Sequence, residues 1–308
     1  MLEHEENSVT VPDQPQEHQT PPSTKQERFK RLKEYLKTLL ITLCVAFILK
    51  LFVVEAFRIP SGSMEDTLLV GDFLLVNKLV YGIRTPRTIP LTNMTIPSLS
   101  FPKFRNVQRG DVIVFEYPGE ATQRHTEMVN YIKRCIGLPG DTIEMVKGRV
   151  FINGKELINP RTAKPSAWEG HSSRAYPFYL DGADYTDAHY GPLIVPKRGD
   201  SIELTVSNFK HWKPFIEREG HRVSEHNGRI SIDGVQSLKY LVHQDYYFAL
   251  GDNRGNSLDS RFWGFIPDNY LLGEALVVYW SWDPFATGNS IWDRFSNIRW
   301  NRIGTVIH

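Results

Sequence analysis

The chain contains only two cysteines among its 308 residues, Cys44 and Cys135, and they lie far apart in the sequence. We therefore expect two free thiols rather than a disulfide. Cysteine and histidine never occur at the spacings that are typical of metal sites, so neither a metal nor a cofactor is predicted. The formal net charge of +1 argues against a surface dedicated to nucleic acid, and no nucleic-acid partner is expected.

Histidine is also missing around the stretch RIPSGSMEDTLL at 58–69. The forty residues on either side of its two serines, Ser61 and Ser63, contain none. If one of these hydroxyls is a nucleophile, a side chain other than a nearby histidine must take its proton.

A long apolar run precedes this stretch. Residues 1–24 are rich in Glu, Gln, Pro and Thr, which predicts a disordered tail, and a basic flank follows. The run from Thr38 to Phe57 has about the twenty residues that cross a hydrocarbon core, with Lys50 placed to reach the far interface. No small-residue cleavage site follows, which favours a retained anchor over a cleaved signal peptide. A buried core helix is the other alternative. Because the basic flank comes first, the N-terminus is predicted in the cytoplasm and the remainder outside.

The body of the chain shows little helical periodicity and many strand signals, so a mainly β fold is predicted. Four phrases begin with Gly-Asp and continue as apolar strands: GDFLLV, GDVIVF, GDTIEM and GDSIEL, starting at 71, 110, 140 and 199. Asn153-Gly154, Asn227-Gly228 and Asp233-Gly234 are hairpin signals. Residues 140–157 match 199–208 plus 228–236, which predicts a duplicated hairpin module; simple reuse of common β turns is the plainer alternative. A proline-rich extended loop is predicted over 85–104.

These features predict the domain organisation. It consists of a disordered tail at 1–24, a basic flank with a transmembrane helix at 25–57, a β-rich core in two parts at 58–154 and 246–286, an inserted β subdomain at 155–245, and a C-terminal tail at 287–308. The tail mixes Trp, Ile and Arg, which suits either a membrane interface or plain packing.

Two further stretches carry side chains suited to chemistry. In YIKRC at 131–135, strand alternation puts Tyr131, Lys133 and Cys135 on one face, where a desolvated lysine would lose its proton more easily. An ordinary surface lysine is the alternative. In GDNRGNSLDSRFWGF at 251–265, Asp259 and Arg261 are predicted to form a buried ion pair near Ser257, the alternative being a solvated turn.

In this order, IPSGSM after an apolar run, YIKR-x-IGLPGD and GDNR-x-NS-x-DSR-x-WGF resemble the three sequence boxes of type I signal peptidases. The resemblance implies that Ser63 is the nucleophile and Lys133 its general base. It implies that the Ser61 hydroxyl and the Ser63 N–H form the oxyanion hole. The lysine-orienting and structural residues of the third box would be Ser257, Asp259 and Arg261. The implied substrate-binding residues are Phe57, Ile59, Pro60, Met64, Leu68, Tyr131 and Ile132. Gly255 stands where the family commonly has Asp, at a position without a chemical role.

The resemblance also implies the fold and the activity. It implies a transmembrane helix followed by a β-rich core, in a membrane-bound serine endopeptidase that removes signal peptides from exported precursors after small residues, through an acyl-enzyme. The expected partners are these precursors and the lipid bilayer, and a monomer is expected. The expected location is the inner membrane, with the catalytic domain on the outer, periplasmic face. Two alternatives remain: a self-cleaving Ser–Lys regulator, and a non-enzymatic β module of the cell envelope.

Overall fold

The structure is a computed structural model that describes residues 25–82, 102–118, 130–164, 179, 185–186, 188–286 and 295–308. The predicted disordered tail at 1–24, and nearly all of the predicted loop at 85–104, lie outside these residues. The chain divides into two compact units, Met1–Phe47 and Ile48–His308. Cys44 and Cys135 are free thiols, as predicted.

The first helix, α1, spans Lys25–Phe52. Its apolar side chains, among them Leu40, Leu43 and Phe47, are exposed all along the helix. The helix ends at Phe52 rather than at Phe57, because the next residues form a strand, Val54–Arg58, that pairs with a later strand of the chain. Within the described residues, no helix combines the length and the apolar character that a membrane crossing requires.

The remainder is mainly β, as predicted. The strands run β1 Val54–Arg58, β2 Asp72–Asn77, β3 Val112–Glu116, β4 Asn130–Gly137, β5 Thr142–Val146, β6 Arg149–Ile152, β7 Lys155–Glu156, β8 Tyr190–Ile194, β9 Ser201–Glu203, β10 Val223–His226, β11 Arg229–Ile232, β12 Val235–Gln236, β13 Lys239–Leu241, β14 Tyr246–Leu250, β15 Ile266–Pro267, β16 Leu271–Ser281 and β17 Thr305–Val306. Two further helices are α2, Phe209–Arg218, and α3, Ser260–Trp263.

One large antiparallel sheet carries the site. Its order is β1-β2-β16-β3-β4-β14-β15, and β17 pairs with β16. A second sheet has the order β7-β6-β5-β8, and two smaller sheets have the orders β10-β11-β12 and β13-β9. In the large sheet β4 lies between β3 and β14, so segments far apart in the sequence meet beside it.

The four Gly-Asp phrases form one repeated turn. Each glycine has a positive φ, from 87° at Gly140 to 98° at Gly110, which glycine adopts without strain. Each following aspartate accepts the backbone N–H of the residue three positions earlier, for example Leu69 N to Asp72 Oδ2 at 2.8 Å. A strand begins at the aspartate or soon after it, as predicted.

Two three-stranded units have the same geometry, but they match the predicted repeat only in part. The β5-β6-β7 and β10-β11-β12 units are both three-stranded and antiparallel, with two-residue turns in which both residues have positive φ. The predicted second copy is 199–208 plus 228–236, whereas the strand that pairs with β11 is β10, and β9 pairs with β13 instead. Duplication of a hairpin module stays a prediction. The second unit is separated from β9 by α2, a helix that the sequence pattern did not predict. Its Phe215 and Ile216 are fully buried in the same apolar cluster as Ile143 and Phe248, so the segment 155–245 shares its core with the flanking parts of the chain.

Candidate active site

The central feature of the site is a lysine beside a serine. Lys133 Nζ lies 2.8 Å from Ser63 Oγ, although 70 residues separate them in the sequence. Strand β4 supplies Lys133, and a single 3-10 turn at Gly62–Met64 supplies Ser63. Both residues are buried, with exposed fractions of 2% and 8%. The hydroxyl therefore has a potential proton acceptor within hydrogen-bond reach.

Burial shifts Lys133 towards its neutral form. The ammonium group lies 5.3 Å from the centre of the Tyr131 ring, and it also donates to the Ile132 carbonyl at 3.0 Å. Burial lowers the pKa of Lys133 from 10.5 to about 8, against the opposing effect of the carboxylates of Asp259 and Asp252. At neutral pH about a tenth of the amine is therefore uncharged, far more than for an ordinary lysine.

The loop after β14 holds the serine turn. Asn253 donates its backbone N–H to the Ser63 carbonyl at 3.1 Å and its side-chain amide to the Gly62 carbonyl, also at 3.1 Å. The same amide reaches Glu65 Oε2 at 3.0 Å. These bonds fix the backbone of the serine turn.

Gly251 allows this loop to approach closely. A Cβ at this position would lie 2.5 Å from the Ser63 carbonyl oxygen and would also overlap the Ser257 side chain. Only a residue without a side chain fits between Ser63 and Ser257. Gly251 lies within the third box, but its sequence context alone did not indicate a role for it.

The predicted ion pair of the third box is present and completely buried. Arg261 donates to Asp259 through Nε at 2.8 Å and through Nη2 at 2.9 Å, and both side chains are 0% exposed. Burial raises the pKa of Asp259, but the Arg261 guanidinium and the Gly251 N–H outweigh this and lower it overall. Arg261 Nη2 also donates to the Arg254 carbonyl at 2.7 Å. The pair therefore ties α3 to the loop that holds Ser63.

A second buried ion pair was not predicted. Arg134 follows Lys133 and donates to both carboxylate oxygens of Asp252, at 2.8 and 2.7 Å. Thr67, three residues beyond the serine turn, hydrogen bonds to the same carboxylate at 2.5 Å. The two acidic residues of GDNR-x-NS-x-DSR thus each hold a buried arginine, a pattern visible in the sequence only as a density of charged residues.

Ser61 lies two residues before Ser63 in an extended conformation, with φ −135° and ψ 157°, and it is exposed. Its hydroxyl and the Ser63 N–H are thus on the same short turn. Their role as an oxyanion hole stays a prediction.

The predicted substrate-binding residues separate into two groups. The apolar side chains of Ile59, Met64 and Leu68 form one cluster on which Ile132 packs. Met64 and Leu68 have no exposed surface, so they support the site from beneath. In contrast, Phe57, Tyr131 and Ile132 are half-buried and Pro60 is exposed, which leaves surface for a ligand. Contact of any of these residues with a substrate stays a prediction.

Among the described residues, no group of three or more His, Cys, Asp and Glu side chains is arranged to hold a metal ion.

Comparison with known proteins identifies the family of the chain. A family described as "Signal peptidase, peptidase S26" matches residues 32–280. Signal peptidase I of Buchnera aphidicola (subspecies Schizaphis graminum, strain Sg) is 34% identical over 283 residues, covering 88% of this chain and 80% of that protein. Signal peptidase I of Pseudomonas aeruginosa (strain PAO1) is 33% identical over 290 residues, covering 90% of this chain and 80% of that protein.

Among solved structures, the crystal structure of a signal peptidase I from Enterococcus faecalis V583 is 24% identical, with a TM-score of 0.25, and the alignment covers 55% of this chain and 97% of that one. The family match over 32–280 and the extent of the similarity to the relatives establish the family. The chain belongs to the type I signal peptidases of peptidase family S26, which are serine peptidases.

Proposed function

We propose that this enzyme cleaves signal peptides from exported precursor proteins with Ser63 as nucleophile and Lys133 as general base. The observation that carries the proposal is the 2.8 Å separation of Lys133 Nζ and Ser63 Oγ in a buried setting. Burial lowers the lysine pKa to about 8, so a workable fraction is neutral near physiological pH. A serine paired with a lysine is a recognised variant of the serine-protease arrangement.

Acylation begins when Lys133 Nζ takes the Ser63 proton and Ser63 Oγ attacks the carbonyl carbon of the scissile bond. The Ser63 N–H and the Ser61 hydroxyl donate to the oxygen on which negative charge develops. Collapse of the tetrahedral intermediate breaks the C–N bond, and the leaving amine receives the proton from Lys133. The signal peptide is then held as an ester of Ser63.

Deacylation uses the same lysine. Neutral Lys133 takes a proton from water, the resulting hydroxide attacks the ester carbon, and the Ser63 oxygen recovers the proton as it leaves. The products are a free carboxylate and a regenerated enzyme. No other group is required to move a proton.

The substrate binds as an extended strand beside residues 57–60 and 131–134. Strand β1, which contains Phe57, is the terminal strand of the large sheet, and a terminal strand can accept an added strand through its backbone groups. Half-buried Ile132 and Phe57 then face the residues before the cleaved bond, which are expected to be small.

The enzyme acts at a membrane, held by the apolar part of α1. Leu40, Leu43 and Phe47 are exposed, and so many exposed apolar side chains on one helix are costly in water and stable in lipid. The basic residues lie before the apolar run, so the N-terminus is cytoplasmic and the catalytic part lies on the outer face of the inner membrane. Extraction of the protein by alkaline carbonate, or a cytoplasmic location for a tag fused at the C-terminus, would contradict this.

Cleavage of a purified precursor by the detergent-solubilised full chain tests the chemistry. Ser63→Ala and Lys133→Arg should both abolish cleavage, because alanine lacks the hydroxyl and arginine stays protonated. The matched controls Ser201→Ala and Lys155→Arg change exposed residues of the same types and should retain full activity. Near-normal cleavage by Ser63→Ala would exclude the proposed nucleophile. The same preparations, studied by light scattering, test the expected monomer.

A further inference from the structure

The segment Asn159–Lys164, named here the strap, lies at the start of the insertion and touches both chain segments that hold the nucleophile. One of these is the turn after Ser63, residues 65–67. The other is the loop 252–254 after β14. The strap contains neither a motif of the family boxes nor any residue of the proposed chemistry.

The strap binds the loop mainly through its backbone. Lys164 N donates to the Asp252 carbonyl at 2.8 Å, and Arg254 N donates to the Lys164 carbonyl at 3.2 Å, which forms a short parallel bridge around Asn253. At the other end of the strap, Asn159 Oδ1 accepts from Nη2 of the buried Arg254 at 2.8 Å.

The strap binds residues 65–67, which directly follow the serine turn, through its side chains. Thr162 and Thr67 share a hydroxyl–hydroxyl hydrogen bond of 2.6 Å. Lys164 Nζ lies 3.3 Å from Glu65 Oε2 and 3.4 Å from Asp66 Oδ1. Asp66 has a φ of 74°, a left-handed conformation that costs free energy for a residue with a side chain and persists where neighbouring contacts hold it.

We propose that Lys164 is a positioning residue that holds residues 65–66, directly after the serine turn, to the 252–254 loop, and so keeps Ser63 Oγ at the distance from Lys133 that proton transfer needs. Its backbone hydrogen bonds to the 252–254 loop and its side chain pairs with Glu65 and Asp66, so Lys164 joins the two segments directly. It does not touch the reacting atoms. This inference rests on the proposed function, and it gives the insertion a part in catalysis. A small misplacement of the nucleophile is enough to slow acylation.

Lys164→Met tests this, because methionine keeps the backbone bridge and most of the side-chain volume but removes the two ion pairs. Exposed ion pairs are individually weak, so the expected loss is roughly threefold to tenfold in kcat with KM unchanged. Lys164→Arg should restore at least half of the wild-type kcat. The matched control is Lys239→Met, which removes an exposed ion pair with Glu203 in the same insertion and should behave like wild type.

The dependence of kcat on salt distinguishes the loss of these ion pairs from a general loss of stability. Raising NaCl screens exposed pairs, so the kcat of wild type should fall towards that of Lys164→Met, while the variant changes little. Lys164→Met kinetics equal to those of Lys239→Met would overturn the inference. So would a loss of kcat that matches a fall in melting temperature and that Lys164→Arg does not restore. If Ser63→Ala is inactive in the same assay, these results overturn only the role of Lys164; an active Ser63→Ala overturns the proposed function itself.

Discussion

Arg134 and Asp252 form a two-point ion pair between side chains that are 4% and 0% exposed, although 118 residues separate them. Arg134 directly follows Lys133 in the sequence, and Asp252 directly follows Gly251, so both partners adjoin residues of the site. Arg134 also donates to the Gly110 and His308 carbonyls, both at 2.7 Å. The pair therefore sets the position of β4 relative to the loop that holds Ser63.

Asp252→Asn should destabilise the fold strongly. The substitution leaves the buried Arg134 guanidinium without its countercharge, and breaking one side of a buried pair costs about 3–5 kcal/mol. Urea unfolding should show this decrease in the free energy of unfolding. The control Glu156→Gln, which removes the partner of exposed Arg149, should have little effect. Equal stability of the two variants would contradict the importance of the Arg134–Asp252 pair.

The rate of cleavage should follow the protonation of Lys133. Only the neutral amine acts as a base, and its pKa is about 8 because of burial. The single-turnover rate should therefore rise roughly tenfold per pH unit below pH 8 and level off above it. A rate that still rises steeply up to pH 10 would show an ordinary, solvated lysine instead.

Lys133→Met should be more stable than wild type at neutral pH while being inactive. The pKa in the folded state, about 8, lies below the unfolded value of 10.5, so the unfolded state binds more protons between these values. The stability of wild type thus rises as the pH increases from 8 to 10.5, and the full penalty of about 3 kcal/mol applies below pH 8. Chemical unfolding at pH 7 and at pH 10.5 should show the advantage of Lys133→Met shrinking at the higher pH. A variant less stable than wild type at pH 7 would be inconsistent with a desolvated lysine.

Gly251→Ala should impair both folding and cleavage. The new Cβ would lie 2.5 Å from the Ser63 carbonyl and overlap Ser257, so the loop must move away from the serine turn. Overpacking of this kind costs about 1–3 kcal/mol. Gly255→Ala is the control, since a Cβ there meets no atom within 4 Å. Melting curves and cleavage rates should separate the two, and a fully active Gly251→Ala would contradict the close approach.

Ser61→Ala should lower kcat by roughly 10²–10³ without abolishing cleavage, because one of two donors to the developing oxyanion is lost. Ser61→Thr keeps a hydroxyl and should retain much more activity than Ser61→Ala. Steady-state kinetics on a peptide substrate measures both. Wild-type turnover by Ser61→Ala would remove the Ser61 hydroxyl from the oxyanion hole.

Structural features that depend on a few neighbouring residues could be predicted from the sequence. The Gly-Asp turns could be predicted because a positive φ and a short carboxylate act within four residues, as Asp72 and Asp111 show. The helix α2 could not, because Pro214 lies inside a short apolar pattern and resembles a helix breaker. Its Trp212, Phe215 and Ile216 spacing was the signal that could have revealed it.

The mainly β fold, the three boxes and the candidates Ser63 and Lys133 could all be predicted from the order of the residues. The burial of Lys133, the 2.8 Å distance between its Nζ and Ser63 Oγ, and the support from Arg134, Gly251 and the strap became visible only in the folded chain. The reason is physical: a turn depends on neighbouring residues, whereas desolvation and the distance between two side chains depend on segments that come together only when the sheet forms and its apolar faces pack.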